Sequence, residues 1–241
     1  MKLSKETLAA LPREELERVL RAEIESLGLA ERFELLHELG IYHGAESRSG
    51  DASSMAETAA LREALPELLR RWRVRSLLDL PCGDFYWMRT VDLGEVDYVG
   101  VDVVPELIET NRRSFGGPRR RFELCDATRD PLPAADLVLC RDLLIHLSLA
   151  DIRRLIERVA ASGARLLLVS HFTECSENTD IVSGDYHPVN LCLAPFRLPP
   201  PLEVLPEEST LAGGRLRDRA LALWRVETLA SALGTHPTQP A

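Results

Sequence analysis

The chain has 241 residues, of which 45% are hydrophobic, and a formal net charge of −9 at pH 7. This length suits one α/β domain with a substantial core and a modest extension. The acidic balance argues against an extended nucleic-acid surface, because binding to phosphates needs a basic excess. No stretch is apolar for long enough to span a membrane, and the N-terminus lacks a signal-peptide core. We therefore expect a cytoplasmic protein with neither nucleic-acid nor membrane partners.

The cysteines do not indicate a disulfide framework or a zinc site. Their number is odd, and no pair has the C-x-x-C spacing that zinc sites favour. The five are Cys82, Cys125, Cys140, Cys175 and Cys192. Asp142, His171 and Asp185 are a conceivable metal set, but their spacing has no ligand pattern, so we expect no metal.

The first part of the chain is predicted to be helical. Apolar residues at helical spacing (Leu16, Val19, Leu20, Ile24, Leu27) predict a first helix that ends at Gly28, and a second short helix ends at Gly40. The polar segment 44–53 is predicted to be a loop. Ser54 and Glu57 have the spacing of a capping box and predict a third helix. The apolar face of that helix comprises Leu61, Leu65, Leu68, Leu69 and Trp72.

From Arg75 onward, short apolar runs alternate with helical patterns, one of them opening at Ser148. Five runs are predicted to be strands: 76–80, 97–101, 121–125, 135–140 and 165–170. Two later runs, 202–205 and 220–226, are predicted to complete the sheet edge. Such alternation predicts an α/β fold with a mostly parallel sheet.

The chain is accordingly divided into three parts. Residues 1–72 are expected to form a helical extension or lid, 73–232 the main domain, and 233–241 a frayed tail. Residues 171–201 lack any clear period, and a loop of that length in a compact domain is usually functional or disordered.

Three acids close successive predicted strands, namely Asp79, Asp102 and Asp126. The carboxyl ends of parallel strands line one edge of an open sheet, where ligands bind. Carboxylates at this edge suit a ligand rich in hydroxyl and amine groups. A dinucleotide is the alternative, but its fingerprint needs three glycines, whereas here Pro81 occupies one position and only Gly83 remains.

These residues resemble the class I S-adenosylmethionine-dependent methyltransferases. Residues 79–87 read D-L-P-C-G-D-F-Y-W, which is similar to a bacterial subfamily with the first motif D-x-P-C-G-D-x-x-W. Asp102, Asp126 and the sequence Cys-Arg-Asp at 140–142 follow in the family's order. The resemblance implies a Rossmann-like, mostly parallel seven-stranded sheet with helices on both faces. It also implies S-adenosyl-L-methionine as cofactor and S-adenosyl-L-homocysteine as product.

The resemblance further implies roles for individual residues. Asp79 and the backbone from Pro81 to Gly83 would hold the methionine portion, and Asp102 would accept hydrogen bonds from both ribose hydroxyls. Asp126 would accept from the adenine amine, the Ala127 amide would contact the ring, and the Cys140 carbonyl would bind the ammonium group. Further cofactor-binding candidates are Cys82, Asp84, Trp87 and Val103.

Several of these assignments have structural alternatives. The alternative for Asp84 and Asp102 is to cap the segment that follows, since aspartate favours that position. The alternative for Asp126 is a place in a polar turn, where aspartate is common. Trp87 is equally suited to the core, and Pro81 stands where the family usually has glycine.

The transfer site is expected after the fourth and fifth strands. A sulfonium methyl group is already activated, so a base is needed only if the nucleophile arrives protonated. The catalytic candidates are Arg141, Asp142, His146 and His171. His146 alternatively packs against loops, and Arg141 either binds a substrate anion or pairs with Asp142 or another local acid.

The expected function is methyl transfer to an oxygen or nitrogen of a small molecule, such as a natural product, a sugar or another metabolite. A peptide or protein methyltransferase and an inactive cofactor-binding protein are the alternatives. A homodimer is also left open. The methyl acceptor is expected to bind near residues 171–201.

Overall fold

The computed structural model describes residues 24–214 and 216–232. Most of the predicted first helix and the predicted tail 233–241 lie outside these ranges. The helices are α1 (Leu29–Glu38), α2 (Ala59–Arg71), α3 (Pro105–Phe115), α4 (Leu149–Ala161), α5 (Leu211–Gly214) and α6 (Val226–Ala232). The strands are β1 (Ser76–Asp79), β2 (Asp97–Asp102), β3 (Arg120–Leu124), β4 (Leu137–Cys140), β5 (Leu166–Phe172), β6 (Glu203–Pro206) and β7 (Arg219–Arg225).

The strands form one seven-stranded sheet in the order β3-β2-β1-β4-β5-β7-β6. Strands β1 to β5 pair in parallel, whereas β7 runs antiparallel to both of its neighbours, β5 and β6. The prediction of an α/β fold with a mostly parallel seven-stranded sheet is confirmed. The antiparallel insertion of β7 adds a mixed end that the sequence analysis did not specify.

Alternation along the strands builds a core on each face of the sheet. Leu78 and Val138 contribute to one hydrophobic cluster, together with the apolar face of α4, whereas Leu77 and Leu137 contribute to the other, together with α2. Burying a side chain of this size stabilises the fold by about 1.5–3 kcal/mol. The buried face of α4 comprises Ile152, Leu155, Ile156 and Val159, and its N-cap is Ser148, as predicted.

The predicted capping box before α2 is only half formed. The Glu57 N–H donates to Ser54 Oγ at 3.3 Å, but the Glu57 carboxylate accepts instead from Ser209 Oγ at 2.7 Å and from the Thr210 N–H at 3.0 Å. Helix α2 consequently begins at Ala59 and not at the predicted box. A long-range contact has replaced the local one.

Residues 173–202 contain neither helix nor strand, as the lack of period predicted. The segment is nevertheless packed into the molecule, because Val189, Leu191 and Phe196 are almost fully buried. The side-chain amide of Asn178 donates to two backbone carbonyls within it. No helix in the described ranges is both long enough and apolar enough to cross a membrane.

Candidate active site

A cavity of about 360 Å³ lies at the carboxyl ends of β1 to β4. The segments that follow these strands supply its floor: 79–84, 101–104, 125–128 and 141–147. Its roof comes from residues between 29 and 53, with Leu211 at one side. The volume falls within the range of small-molecule sites, and the position is the one where open α/β sheets bind ligands.

The turn after β1 is shaped by Gly83, whose φ is +53°. The Gly83 N–H donates to Asp102 Oδ2 at 3.0 Å, and its carbonyl accepts from Asn111 Nδ2 at 2.7 Å. A Cβ atom at this position would lie 2.2 Å from Ser49 Oγ. Glycine is therefore required both for the backbone conformation and for the close approach of the roof. The Leu80–Pro81 peptide bond is cis.

Asp79 and Asp102 are both buried and both line the cavity. Burial raises the pKa of Asp79 to about 7, although its carboxylate accepts a hydrogen bond from Tyr98 Oη at 2.6 Å. Burial likewise raises the pKa of Asp102 to about 6, against the effect of hydrogen bonds from the Val104 and Gly83 N–H groups. Buried carboxyls of this kind gain from a cationic or hydrogen-bond-donating ligand.

Asp126 also lines the cavity, and one of its carboxyl oxygens is already used in a local turn. Oδ1 accepts from the Thr128 N–H at 2.9 Å and from Thr128 Oγ1 at 2.7 Å. The neighbouring Ala127 is buried in the same lining. The other predicted cofactor-binding residues of the lining are Pro81, Cys82, Asp84, Trp87 and Val103.

The Cys140 side chain is fully buried and lies outside the residues that line the cavity. Its predicted role was assigned to the backbone carbonyl, and it stays a prediction.

Asp84 fastens the roof to the turn after β1. Its carboxylate accepts from Ser47 Oγ at 3.0 Å and from the Arg48 N–H at 2.8 Å, while its own N–H donates to Ser49 Oγ at 2.9 Å. The same carboxylate accepts from the Tyr86 N–H at 3.2 Å, so it also caps the following turn. We call residues 47–53 the serine segment. Its contacts place it as a cover over the cavity.

Arg141 lines the cavity, but its guanidinium is fully engaged by protein groups. It pairs with Glu207 Oε1 at 2.6 Å and Asp142 Oδ2 at 3.0 Å, and it donates to the Ala52 carbonyl at 2.8 Å. Burial raises the pKa of Asp142, but Arg141 and Arg219 outweigh it and hold the pKa below its ordinary value. The structure thus contains the ion pair between Arg141 and Asp142, which was the predicted alternative to binding a substrate anion.

Arg219 completes a buried ionic network beneath Arg141. It pairs with Glu207 Oε2 at 3.0 Å, with Asp142 Oδ2 at 3.4 Å and with Glu57 Oε2 at 3.8 Å. The sequence analysis missed Glu57, Glu207 and Arg219 as members of the site. Glu57 had been assigned to a capping box, and the other two have no local motif.

His146 lines the cavity after β4, and its ring is held from behind. Nδ1 lies 2.8 Å from the Asp185 carbonyl, and the ring centroid is 4.7 Å from that of Tyr42. Burial lowers the pKa of His146. The predicted packing against loops is therefore present, and it leaves the ring at the cavity surface.

His171 is not brought to the cavity. It is 4% exposed, its Nδ1 accepts from the Leu191 N–H at 3.4 Å, and its ring packs edge-on against Trp224 at 5.5 Å. No residue of 171–201 belongs to the cavity lining, so this segment supports the site from outside. Residues 171–201 were expected to lie beside the methyl acceptor, but helix α1 and the serine segment line the cavity instead.

The charge of the cavity lining is predominantly negative. Six aspartates line it (Asp51, Asp79, Asp84, Asp102, Asp126, Asp142), against two arginines. Both arginines are paired, Arg141 as described and Arg48 with Glu106 at 2.7 Å. Such a lining favours a ligand with cationic groups over a polyphosphate. The described residues contain no group of three or more His, Cys, Asp or Glu side chains that could hold a metal ion.

Comparison with known proteins gives a partial family match. Residues 77–162 match a family model described as a methyltransferase domain. This match spans β1 to α4, including every strand end that contributes to the cavity floor. It supports a class I methyltransferase with S-adenosylmethionine as cofactor, and the substrate class is not determined by it. No curated protein matches the chain.

Solved structures show the fold. The N-methyltransferase NodS from Bradyrhizobium japonicum WM9 is 17% identical, with a TM-score of 0.50 over 69% of this chain and 96% of NodS. NodS in complex with S-adenosyl-L-homocysteine is 16% identical, with a TM-score of 0.51 over 70% of this chain and 84% of that one. Human N-acetylserotonin methyltransferase in complex with S-adenosylmethionine is 16% identical, with a TM-score of 0.47 over 88% of this chain and 67% of that one.

Other matched structures are covered less fully. The chain spans 66% of the length of the methyltransferase domain of bacterial CtHen1-CN and 48% of CalS10 from Micromonospora echinaspora.

Proposed function

We propose that this chain is an S-adenosylmethionine-dependent methyltransferase that methylates an oxygen or nitrogen atom of a small molecule. The main observation in support is the aspartate-lined cavity at the carboxyl ends of β1 to β4, in which both arginines are neutralised by acidic side chains of the protein. S-adenosylmethionine has a sulfonium, an ammonium, a ribose and an adenine amine, and each of these groups suits an acidic or hydrogen-bond-accepting wall. Its carboxylate, the one anionic group, would have to compete with Glu106 for the half-exposed Arg48. The match of residues 77–162 to a methyltransferase domain supports the proposal.

The residues of the cavity floor fit this cofactor in the order of the strands. Asp79 and the turn from Pro81 to Gly83 would hold the methionine portion, with the carbonyl of Cys140. Asp102 would accept from the ribose hydroxyls, and Asp126 with Ala127 would hold the adenine. When bound, the cofactor supplies an activated methyl group, and the chain has to align the nucleophile and exclude water.

The enclosed roof favours a small acceptor over a peptide or protein. The serine segment and α1 cover the cavity, so a folded protein surface would have to displace them. A chain that binds the cofactor without transferring its methyl group is the second candidate. Cytoplasmic location, a homodimer and a separate lid formed by residues up to 72 remain predictions.

The test is ligand binding followed by turnover. We expect the purified chain to bind S-adenosyl-L-homocysteine in isothermal titration calorimetry, and to bind NAD at least about a hundredfold more weakly, which corresponds to about 2.7 kcal/mol. Tighter binding of NAD would contradict the assignment of the cavity. Binding without transfer of labelled methyl groups to any metabolite extract would favour the inactive alternative.

A further inference from the structure

We propose that the methyl acceptor is an aromatic molecule that bears a hydroxyl group and no carboxylate or phosphate, and that His146 is the general base that deprotonates it. This inference rests on the proposed function, because it assigns the apolar and aromatic part of the same cavity's lining. It names the acceptor's chemistry and the atom that takes its proton.

The walls of this part of the cavity are apolar and aromatic. Helix α1 contributes Leu29 and Phe33, and the turn after β4 contributes Leu143 and Ile145. Tyr42 lies between them, with its ring centroid 6.5 Å from that of Phe33 and 4.7 Å from that of His146. A planar aromatic ring gains both apolar burial and ring–ring contact in such a pocket.

An anionic acceptor finds no partner among the described lining residues. The guanidinium of Arg141 already meets Glu207, Asp142 and the Ala52 carbonyl, and Arg48 is paired with Glu106 through both of its terminal nitrogens. S-adenosylmethionine brings one carboxylate of its own, so a carboxylate or phosphate on the acceptor would add a second anion to a lining that is rich in aspartates and whose two arginines are paired, which is unfavourable. The acceptor is therefore not an acid.

The hydrogen bond behind His146 fixes the form of its ring. A backbone carbonyl can only accept, so Nδ1 must carry the hydrogen in its 2.8 Å contact with the Asp185 oxygen. In the neutral ring this leaves the lone pair on Nε2. Burial keeps the ring neutral near pH 7 by lowering its pKa, although Asp142 and Asp185 oppose this effect and His187 adds to it.

Two further hydrogen bonds tie the surroundings of the ring to Gly184. Tyr42 Oη donates to the Gly184 carbonyl at 2.7 Å, and the Gly184 N–H donates to the His146 carbonyl at 2.8 Å. The segment after β5 thus has a function in the proposal: it orients the base without touching the acceptor.

The proposed step is a direct transfer. The hydroxyl oxygen forms a bond to the methyl carbon while the carbon–sulfur bond breaks, and the bond electrons pass to sulfur to give S-adenosyl-L-homocysteine. The hydroxyl proton moves to Nε2 of His146 and is then released to solvent. A phenol suits this base, because its ordinary pKa near 10 is low enough for transfer to an imidazole as the bond forms. An aliphatic ammonium would already be charged and would have to lose its proton before reacting.

The acceptor class is tested with two probes of the same shape and different charge: 4-propylphenol and 3-(4-hydroxyphenyl)propanoate. Each is titrated calorimetrically into the protein saturated with S-adenosyl-L-homocysteine. We expect the neutral phenol to bind at least about tenfold tighter than the propanoate. Tighter binding of the propanoate, or no binding of 4-propylphenol, would overturn the proposal. Failure of the proposed function is distinct, since S-adenosyl-L-homocysteine itself would then not bind.

The base is tested by His146→Asn, in which the side-chain amide can still donate to the Asp185 carbonyl. With 4-propylphenol and labelled S-adenosylmethionine, we expect kcat to fall by about 10²–10⁴ while the affinity for S-adenosyl-L-homocysteine stays within about threefold. The matched control is His43→Asn, an exposed histidine outside the cavity lining. Retention of kcat in His146→Asn, or no transfer to bound 4-propylphenol by the unmodified protein, would refute the base assignment.

The tautomer gives a readout that does not require turnover. Long-range ¹H–¹⁵N spectra of the S-adenosyl-L-homocysteine complex should show the His146 hydrogen on Nδ1 at pH 7.5. A hydrogen on Nε2 would remove the lone pair that the proposed step uses and would overturn it.

Discussion

Asp102 shows at the scale of one residue how a buried carboxyl can serve both the fold and a ligand. Its two oxygens accept from the Gly83 and Val104 N–H groups, and it also lines the cavity. The capping alternative and the ribose role are therefore compatible, because each oxygen has two lone pairs.

Replacing Asp102 tests the ribose role. We expect Asp102→Asn to weaken binding of S-adenosyl-L-homocysteine by about 10- to 100-fold, since a hydrogen bond to a charged group contributes about 1.5–3 kcal/mol. Calorimetric titration measures the change, and circular dichroism checks that the variant is folded. Asp92→Asn, at an exposed position outside the cavity lining, is the control. Equal affinities of the two variants for S-adenosyl-L-homocysteine would contradict the ribose role of Asp102.

Asp79 should make stability depend on pH. Its pKa is raised to about 7, above the unfolded value, so the folded chain holds the proton more tightly between about pH 4 and pH 7. Ionising this buried carboxyl therefore lowers the free energy of unfolding progressively across that window, and the full loss is reached above pH 7. Asp102, whose pKa is raised to about 6 by burial, changes charge in the same window, so the comparison needs a variant. We expect urea denaturation to show Asp79→Asn gaining stability relative to the unmodified chain as the pH rises from 5 to 8. A constant difference would contradict the raised pKa.

His171 is expected to matter for stability and not for methyl transfer. It is buried against Trp224 and outside the cavity lining. We expect His171→Ala to lower the free energy of unfolding by about 1–3 kcal/mol while kcat per folded molecule changes by less than about twofold. Thermal denaturation and transfer assays on the same preparation measure both. A selective loss of kcat would restore the catalytic assignment made from the sequence.

At the scale of elements, the Asp84 side chain holds three residues of the serine segment against the domain. Ser47, Arg48 and Ser49 all bond to Asp84. We expect Asp84→Ala to release this segment, so that trypsin cleaves after Arg48 faster and S-adenosyl-L-homocysteine no longer protects the bond. Glu95→Gln, an exposed acid elsewhere, should cleave like the unmodified chain. Unchanged protection in Asp84→Ala would mean that the cover is held by other contacts.

The sequence predicted the elements better than their arrangement. Strands β1 to β5 were located to within about two residues. For β1, β2, β4 and β5 the reason is that a strand buried on both faces is a continuous apolar run, whereas only Phe122 is buried in the edge strand β3. The insertion of β7 between β5 and β6 depends on pairing between distant segments and has no local signal. For the same reason Glu57, Glu207 and Arg219 were missed, while Asp79, Asp102 and Asp126 were found because each closes a strand.

At the scale of the whole molecule, the ionic network joins parts that are remote in sequence. Glu207, which follows β6, pairs both with Arg141 after β4 and with Arg219 in β7, and each of the three residues is at most 5% exposed. Arg141 also donates a hydrogen bond to the Ala52 carbonyl of the serine segment. The cover, the parallel half and the antiparallel end of the sheet are thereby coupled.

Removing one charge from this network should be costly. We expect Glu207→Gln to destabilise the chain by about 3–5 kcal/mol, because two buried guanidinium groups lose a shared partner. Glu203→Gln removes a more exposed ion pair with Arg71 and should cost about 1 kcal/mol or less. Chemical denaturation of both variants gives the comparison. Equal effects would show that Glu207 does not compensate the buried charges.

The attachment of the serine segment to both Asp84 and Arg141 has a consequence for the kinetics of the cycle. The serine segment lines the same cavity as the floor aspartates and the aromatic residues, so breaking its hydrogen bonds to Asp84 and Arg141 opens the way to both. The rate at which the spent cofactor leaves should then follow the rate at which these hydrogen bonds break.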